Sequence, residues 1–200
     1  MTNEEKSLIV ALTIGDGSIS PEGRLAINHC DKQKEYIEYK AEIINRIIGG
    51  KPVTIHKTKN KINDKVYYGW AIRKCCKRKL SEFRELFYPN RKKVITREIL
   101  DYLTPEGIAI WYMDDGNLSA EKIDGKIHAY KLGIATYLTQ EENQVIIDYF
   151  KEKWNIEFHS HKDGSKYRLR MGTKEARRFL ELVRPYVNKI ECMKYKAIEI

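Results

Sequence analysis

Long apolar runs are missing from this 200-residue chain, and so are the cysteine spacings that hold zinc or build a disulfide framework. No stretch reaches the roughly 18 apolar residues of a membrane helix. Met1 to Lys6 is polar and acidic rather than a basic region feeding an apolar core, so neither a secretion signal nor a membrane association is expected, and the chain is placed in the cytoplasm or an organellar matrix. Cys30, Cys75, Cys76 and Cys192 include one vicinal pair and no C-x-x-C, which fits reduced thiols. Proline is scarce, at five residues, and 42% of the chain is hydrophobic, which argues against low-complexity disorder and leaves enough side chain for a core. A nucleophile elbow, a P-loop and a dinucleotide fingerprint are all lacking.

Positive charge is present, and it is local. Residues 51 to 79 hold ten basic residues and one acid, Asp64, so this segment accounts for the whole net charge of +9. A concentrated excess gives a directional field suited to a polyanionic partner.

Periodicity and capping signals lay out the same plan twice. Thr2 with Glu5 and Thr139 with Glu142 fit capping boxes, Thr104 precedes a proline at a first helical position, and Thr173 is expected to open a further helix in the same way. Ile37, Ala41, Ile44 and Ile48 share a helical face that ends at Gly49-Gly50. Strand alternation places Lys166, Arg168 and Arg170 opposite Tyr167, Leu169 and Met171, and gives Val66, Tyr68, Trp70 and Ile72 one parity, as in half-buried ribbons with a basic open face. The order is helix 3–15, hairpin 18–30, helix 33–48, hairpin 52–75 and helix 77–88. It continues with helix 105–114, strands to 137, helix 140–153, hairpin 156–172 and helix 174–186. The expected fold is α+β, with two αββαββα halves, 1–95 and 96–200.

Two segments occupy matching places in these halves. Ile9 to Gly17 and Ile108 to Gly116 are apolar helices that end in Asp-Gly, and their final aspartates, Asp16 and Asp115, are 99 residues apart. A carboxylate in the last turn faces the negative end of the helix dipole, an unfavourable placement by about 0.3–1 kcal/mol. Two such helices packed side by side would crowd Asp16, Asp115 and nearby Asp114, and a divalent cation resolves the repulsion. Mg²⁺ takes one or two protein carboxylates and fills its other positions with water and phosphate oxygens, as phosphodiester hydrolysis requires.

Ala11 to Gly17, and Tyr102-Leu103-Thr104-Pro105 through Trp111-Tyr112-Met113-Asp114-Asp115-Gly116, resemble the two motifs of a single-chain LAGLIDADG homing endonuclease. The resemblance implies central packed motif helices, two saddle-shaped antiparallel sheets lying in the DNA major groove, and a monomer acting on double-stranded DNA. It implies metal binding and catalysis by Asp16 and Asp115, with Asp114 as a helix-end neighbour. It implies that Mg²⁺, or another divalent cation such as Mn²⁺, supports cleavage to short 3′ overhangs, and that Ca²⁺ binds without supporting it. It also implies one basic residue near the metal in each half: Lys93, with Lys92 the alternative, and Lys196. The offsets agree, at 77 residues from Asp16 to Lys93 and 81 from Asp115 to Lys196. Because Trp111 and Met113 follow Ala109, a bulkier helix interface than the family's small-residue packing is expected.

On the sheets, Lys57, Lys59, Lys61, Arg73, Lys74, Lys162, Lys166, Arg168 and Arg170 are the expected DNA contacts, with Arg suited to guanine and Lys to phosphates. His159 and His161 share a strand face but lack a third ligand, and read as polar strand positions. The alternative to a nuclease is a relative that keeps the fold as an RNA splicing maturase or a sequence-specific DNA-binding regulator.

Overall fold

A computed structural model describes residues 1–200, with the side chain of Ile62 left aside. Helix α1 (Asn3–Ile14) opens on a complete capping box: Thr2 Oγ1 accepts from the Glu5 amide at 3.2 Å, and Glu5 Oε2 accepts from the Thr2 amide at 2.9 Å. It is followed by β1 (Ser18–Ile19), β2 (Arg24–Cys30), α2 (Lys34–Ile48), β3 (His56–Ile62), β4 (Lys65–Cys75) and α3 (Lys77–Phe87). A short α4 (Arg97–Asp101) leads into the second half, which holds α5 (Pro105–Asp115), β5 (Gly116–Ile123), β6 (Lys126–Leu138), α6 (Gln140–Trp154), β7 (His159–Asp163), β8 (Lys166–Met171) and α7 (Thr173–Val187). A 3-10 turn, Glu191–Lys196, closes the fold.

Each half is a four-stranded antiparallel sheet, in the orders β1-β2-β4-β3 and β5-β6-β8-β7. Registers fix which positions match. Ser18 pairs with Ala26 and Ala26 with Arg73; Asn117 pairs with Gly133 and Gly133 with Arg170. Arg73 and Arg170 are therefore opposite numbers, each two strands in from a residue two places after its motif aspartate. On the same count Gly69 matches Lys166, yet the β3–β4 ladder continues past that level, from Lys59↔Tyr68 outward. The first half thus has a longer outer hairpin.

Helices α1 and α5 lie between the sheets and are buried on all sides, from Ser7 to Ile14 and from Gly107 to Met113. Each fully buried large apolar side chain contributes about 1.5–3 kcal/mol, and this stripe-free pattern has no exposed face on which a helix could stand alone. Their approach is close because of small residues, which corrects the expectation of a bulky interface. A Cβ on Gly107 would lie 2.5 Å from Ser7 Oγ. Ser7 Oγ also accepts from the Thr104 amide at 2.8 Å, joining one helix to the cap of the other. The bulky residues turn into their own half: Trp111 stacks on Phe150 at 6.3 Å, and Tyr112 meets Phe179 edge-on at 5.2 Å.

Two local expectations are also revised. The N-cap of α7 is Gly172, and Thr173 Oγ1 instead accepts from the Tyr130 amide at 2.8 Å, tying the helix to β6. The apolar parity of β4 leaves the core toward the hairpin tip, where Val66 and Tyr68 are exposed while Ile72 is buried. Lys57 Nζ lies over the ring faces of Tyr68 and Trp70, at 5.2 and 5.5 Å.

Candidate active site

The two motif helices end together at the middle of the molecule. Asp115 is the last residue of α5, and Asp16 lies just beyond α1. Each end leaves carbonyls without helical partners, and a lysine from the same half comes back to meet them. Lys93 Nζ donates to the carbonyls of Gly15 at 2.9 Å and Gly17 at 3.2 Å; Lys196 Nζ donates to Met113 O at 2.5 Å, with Asp114 O at 3.4 Å. The ammonium groups offset the negative dipole ends on which the aspartates stand. Lys92 is the exposed neighbour, its Nζ 4.0 Å from Glu142, so Lys93 rather than Lys92 occupies the centre.

Burial and crowding set the charges. Burial, then the charges of Asp114 and Asp16, pushes the Asp115 carboxyl up to about 7, against a hydrogen bond from Trp111 Nε1 to its Oδ2 at 3.0 Å. Asp16 is also raised, by burial and then by Asp114, although its side chain is 40% exposed. Lys93 and Lys196 are both lowered, by burial first. Two aspartates whose ionisation is opposed, backed by two lysines already engaged by carbonyls, form a donor set of hard oxygens that fits a divalent cation such as Mg²⁺, Mn²⁺ or Ca²⁺.

A cleft of about 320 Å³ beside Asp115 is lined by Gly15, Lys93, Thr136 and Lys166, and one of about 530 Å³ beside Asp16 by Asn28, His29, Tyr67 and Arg73. The burial of Leu25, Ile27, Leu169 and Met171 marks the core faces of the sheets, and the alternate positions form their open faces. Of the nine expected DNA contacts, Arg73, Lys166, Arg168 and Arg170 lie on those faces by register. Lys57, Lys59, Lys61 and Lys74 share the other face with Trp70 and Ile72, and Lys162 pairs with Tyr167 on the core side. Arg73 Nη1 donates to Ile72 O at 2.8 Å and Nη2 to Asn28 Oδ1 at 3.0 Å, so this guanidinium is held in place. Arg168 is paired with Asp163. His159 and His161 take the open face of β7 opposite Arg170 and Arg168.

The parts played by four residues at the centre were not legible in the sequence. Asp114 is a buried hub that accepts from Lys40, Tyr36 and the Asp16 amide. His29, buried on the core face of β2, sets Nδ1 3.2 Å from Gln33 Oε1 and 3.6 Å from Asp16 Oδ2, and its ring lies 4.8 Å from that of Tyr36. Burial, then the charge of Lys40, lowers His29 to about 4, so it is neutral. Tyr36, Lys40, Ile43 and Ile47 form a second buried ridge on α2, beside the one legible from Ile37, Ala41, Ile44 and Ile48. A lysine four residues after a tyrosine on such a ridge was the available signal.

Paired motif helices at a pseudo-dyad, each ending in an aspartate and followed by a four-stranded antiparallel sheet, define the two-motif homing endonuclease fold. The fold matches the homing endonuclease I-WcaI bound to its DNA recognition sequence, with a TM-score of 0.82, 22% identity, and coverage of 100% of this chain and 88% of that one. The model of the LAGLIDADG DNA endonuclease family matches residues 6–179, and the chain belongs to that family. An uncharacterized protein of Methanocaldococcus jannaschii is 25% identical over 202 residues, covering 96% of this chain and 76% of the relative. The probable intron-encoded endonuclease 1 of Wickerhamomyces canadensis is 27% identical over 168 residues, 84% of this chain and 71% of the relative. Protein RecA of Mycolicibacterium flavescens is 26% identical over 99% of this chain, which spans only 47% of that protein. No helix among the described residues is long and apolar enough to cross a membrane.

Proposed function

We propose that the chain is a site-specific double-strand DNA endonuclease that acts as a monomer, with halves 1–95 and 96–200 each supplying one sheet, one aspartate and one lysine. The observation that carries this reading is the convergence of Asp16, Asp115, Lys93 and Lys196 between two open sheet faces that bear arginines at matching registers. Family membership and the fold shared with a DNA-bound homing endonuclease support it.

In this reading Asp16 and Asp115 hold Mg²⁺ or a similar cation, which when bound polarises the scissile phosphates and favours hydroxide as the nucleophile. Lys93 and Lys196, anchored on helix-end carbonyls, keep their remaining N–H groups for solvent beside the acids. Arg73, Lys166, Arg168 and Arg170 meet DNA from the open faces; Lys57, Lys59, Lys61 and Lys162, exposed on the outer strands β3 and β7, reach backbone phosphates from the sheet margins, whereas Lys74, on the covered face of β4 with its Nζ donating to Lys51 O, does not.

The test is incubation of the chain with a randomised duplex library and Mg²⁺, followed by sequencing of new ends. Paired breaks at one recurring sequence are expected, with none from Asp16→Asn or Asp115→Asn. DNA bound at a recurring sequence without breaks would favour a binding module instead.

A further inference from the structure

Asp114 has the chemistry and the position of a metal ligand. It precedes Asp115, and ligand atoms of Asp16, His29 and Asp114 lie within 4.8 Å of one another. Its oxygens, however, are already engaged. Oδ1 accepts from Lys40 Nζ at 2.5 Å and from Tyr36 OH at 2.8 Å, and Oδ2 accepts from the main-chain N–H of Asp16 at 3.0 Å. The side chains of Lys40 and Asp114 are wholly buried. A buried ammonium at that distance is itself the counter-cation, and it repels a second one.

The bond to Asp16 is the one that leaves this cluster for the first motif. Pseudo-symmetry supplies an internal comparison. Asp114 and Gly15 hold equivalent places, one residue before each final aspartate, and glycine has no side chain with which to hold Asp115 in return. Counted from the first residues of α2 and α6, Lys40 matches Ile146, which is buried and apolar. Asp115 is instead steadied through its carboxylate, by Trp111 Nε1.

We propose that Asp114, held by Lys40 and Tyr36, is a positioning residue that clamps the main chain of Asp16 and is not a metal ligand, so that the two halves of the centre are fixed by different means. This rests on the nuclease reading for its consequence, unequal treatment of the two strands.

Two paired variants test it without leaving a buried charge alone. Lys40→Met with Asp114→Asn keeps an acceptor for the Asp16 amide; Lys40→Met with Asp114→Ala removes it. In amide exchange followed by NMR, Asp16 keeps its protection in the Asn pair and loses about tenfold or more in the Ala pair. Equal protection in both overturns the clamp. Calcium titration by calorimetry leaves both pairs within about threefold of the parent, whereas Asp16→Asn is strongly weakened. Loss of calcium in both pairs makes Asp114 a ligand and overturns the proposal. On an end-labelled site recovered from the library, the Ala pair slows one strand by about tenfold or more with KM unchanged, and the Asn pair restores it. Equal slowing of both strands overturns the inequality. A parent chain that binds no calcium or cuts no DNA sinks the nuclease reading instead, and amide exchange still decides the clamp.

Discussion

Gly15 and Asp114 meet across the helix pair: a Cβ on Gly15 would stand 2.3 Å from Asp114 Oδ2. Gly15→Ala must displace a carboxylate already fixed by Lys40 and Tyr36, and is expected to cost about 1–3 kcal/mol, as overpacking does. Gly172→Ala, where an added Cβ meets nothing within 4 Å, is the control. Equal denaturation midpoints for the two variants would contradict the close approach.

His29 should make stability pH-dependent. Its folded value of about 4 lies below the unfolded 6.5, so between these values the unfolded chain binds a proton that the folded one does not. Its contribution is complete above pH 6.5 and disappears as the pH falls toward 4, up to about 3 kcal/mol. The raised Asp115 works in the opposite direction, favouring the fold as the pH falls below about 7. The difference between parent and His29→Gln melting curves in EDTA isolates the histidine. Curves that stay parallel from about pH 7 to about pH 4.5 would refute its burial as a neutral ring.

Arg73 and Arg170 stand at matching registers, so their sequence preferences should fall at positions equidistant from the centre of the target. Each bidentate guanine contact is worth about 1–3 kcal/mol. In binding selections with Ca²⁺ replacing Mg²⁺, Arg170→Gln should relax one of the two positions and Arg73→Gln the other. Asn28, which holds Arg73, should give a weaker version of the second effect when changed to Ala. Preferences that move together in both variants would break the assignment.

Salt dependence should be unequal between the halves. The overhanging β3–β4 hairpin carries Lys59 and Lys61 beyond the level at which β7–β8 turns, with Lys57 at its edge; Lys61 is paired with Asp64 at 2.8 Å, as Arg168 is with Asp163, and Lys59 adds a further charge at the overhang. Changing the three lysines to Gln should lower the slope of log K against log[salt] by up to about 0.9 for each phosphate that they neutralise. The same treatment of Lys162, Lys166 and Arg168 should lower it less. A reversed order would place the main electrostatic grip on the second sheet.

Much of the architecture was readable because it follows from one-dimensional signals. Capping boxes at Thr2 and Thr139 fixed helix starts, alternation fixed β8, and the repeated Asp-Gly ending singled out both aspartates, whereas Lys93 and Lys196 came from the family resemblance, with Lys92 left as an alternative to Lys93. The hub at Asp114 was not readable because its partners are 74, 78 and 98 residues away and its meaning depends on the absence of a side chain at Gly15. The open and covered faces of β3 were missed for a related reason. A one-residue step reverses every side chain, and only the pairing with Trp70 and Ile72 reveals which lysines share the helix side.

The clamp between Asp114 and Asp16 also bears on ancestry. A chain of two alike repeats can fall back to a symmetric dimer of either one. Here two copies of the first half would set Gly15 against Gly15 and bury Lys40 with no carboxylate to meet it. Two copies of the second would press Asp114 against Asp114. Glu35 adds a further tie, accepting from the amides of Glu191 and Cys192 at 2.9 Å each. Whatever their origin, the halves have become lock and key to each other, and any recombination that exchanges one between relatives must carry the matching residues of the other.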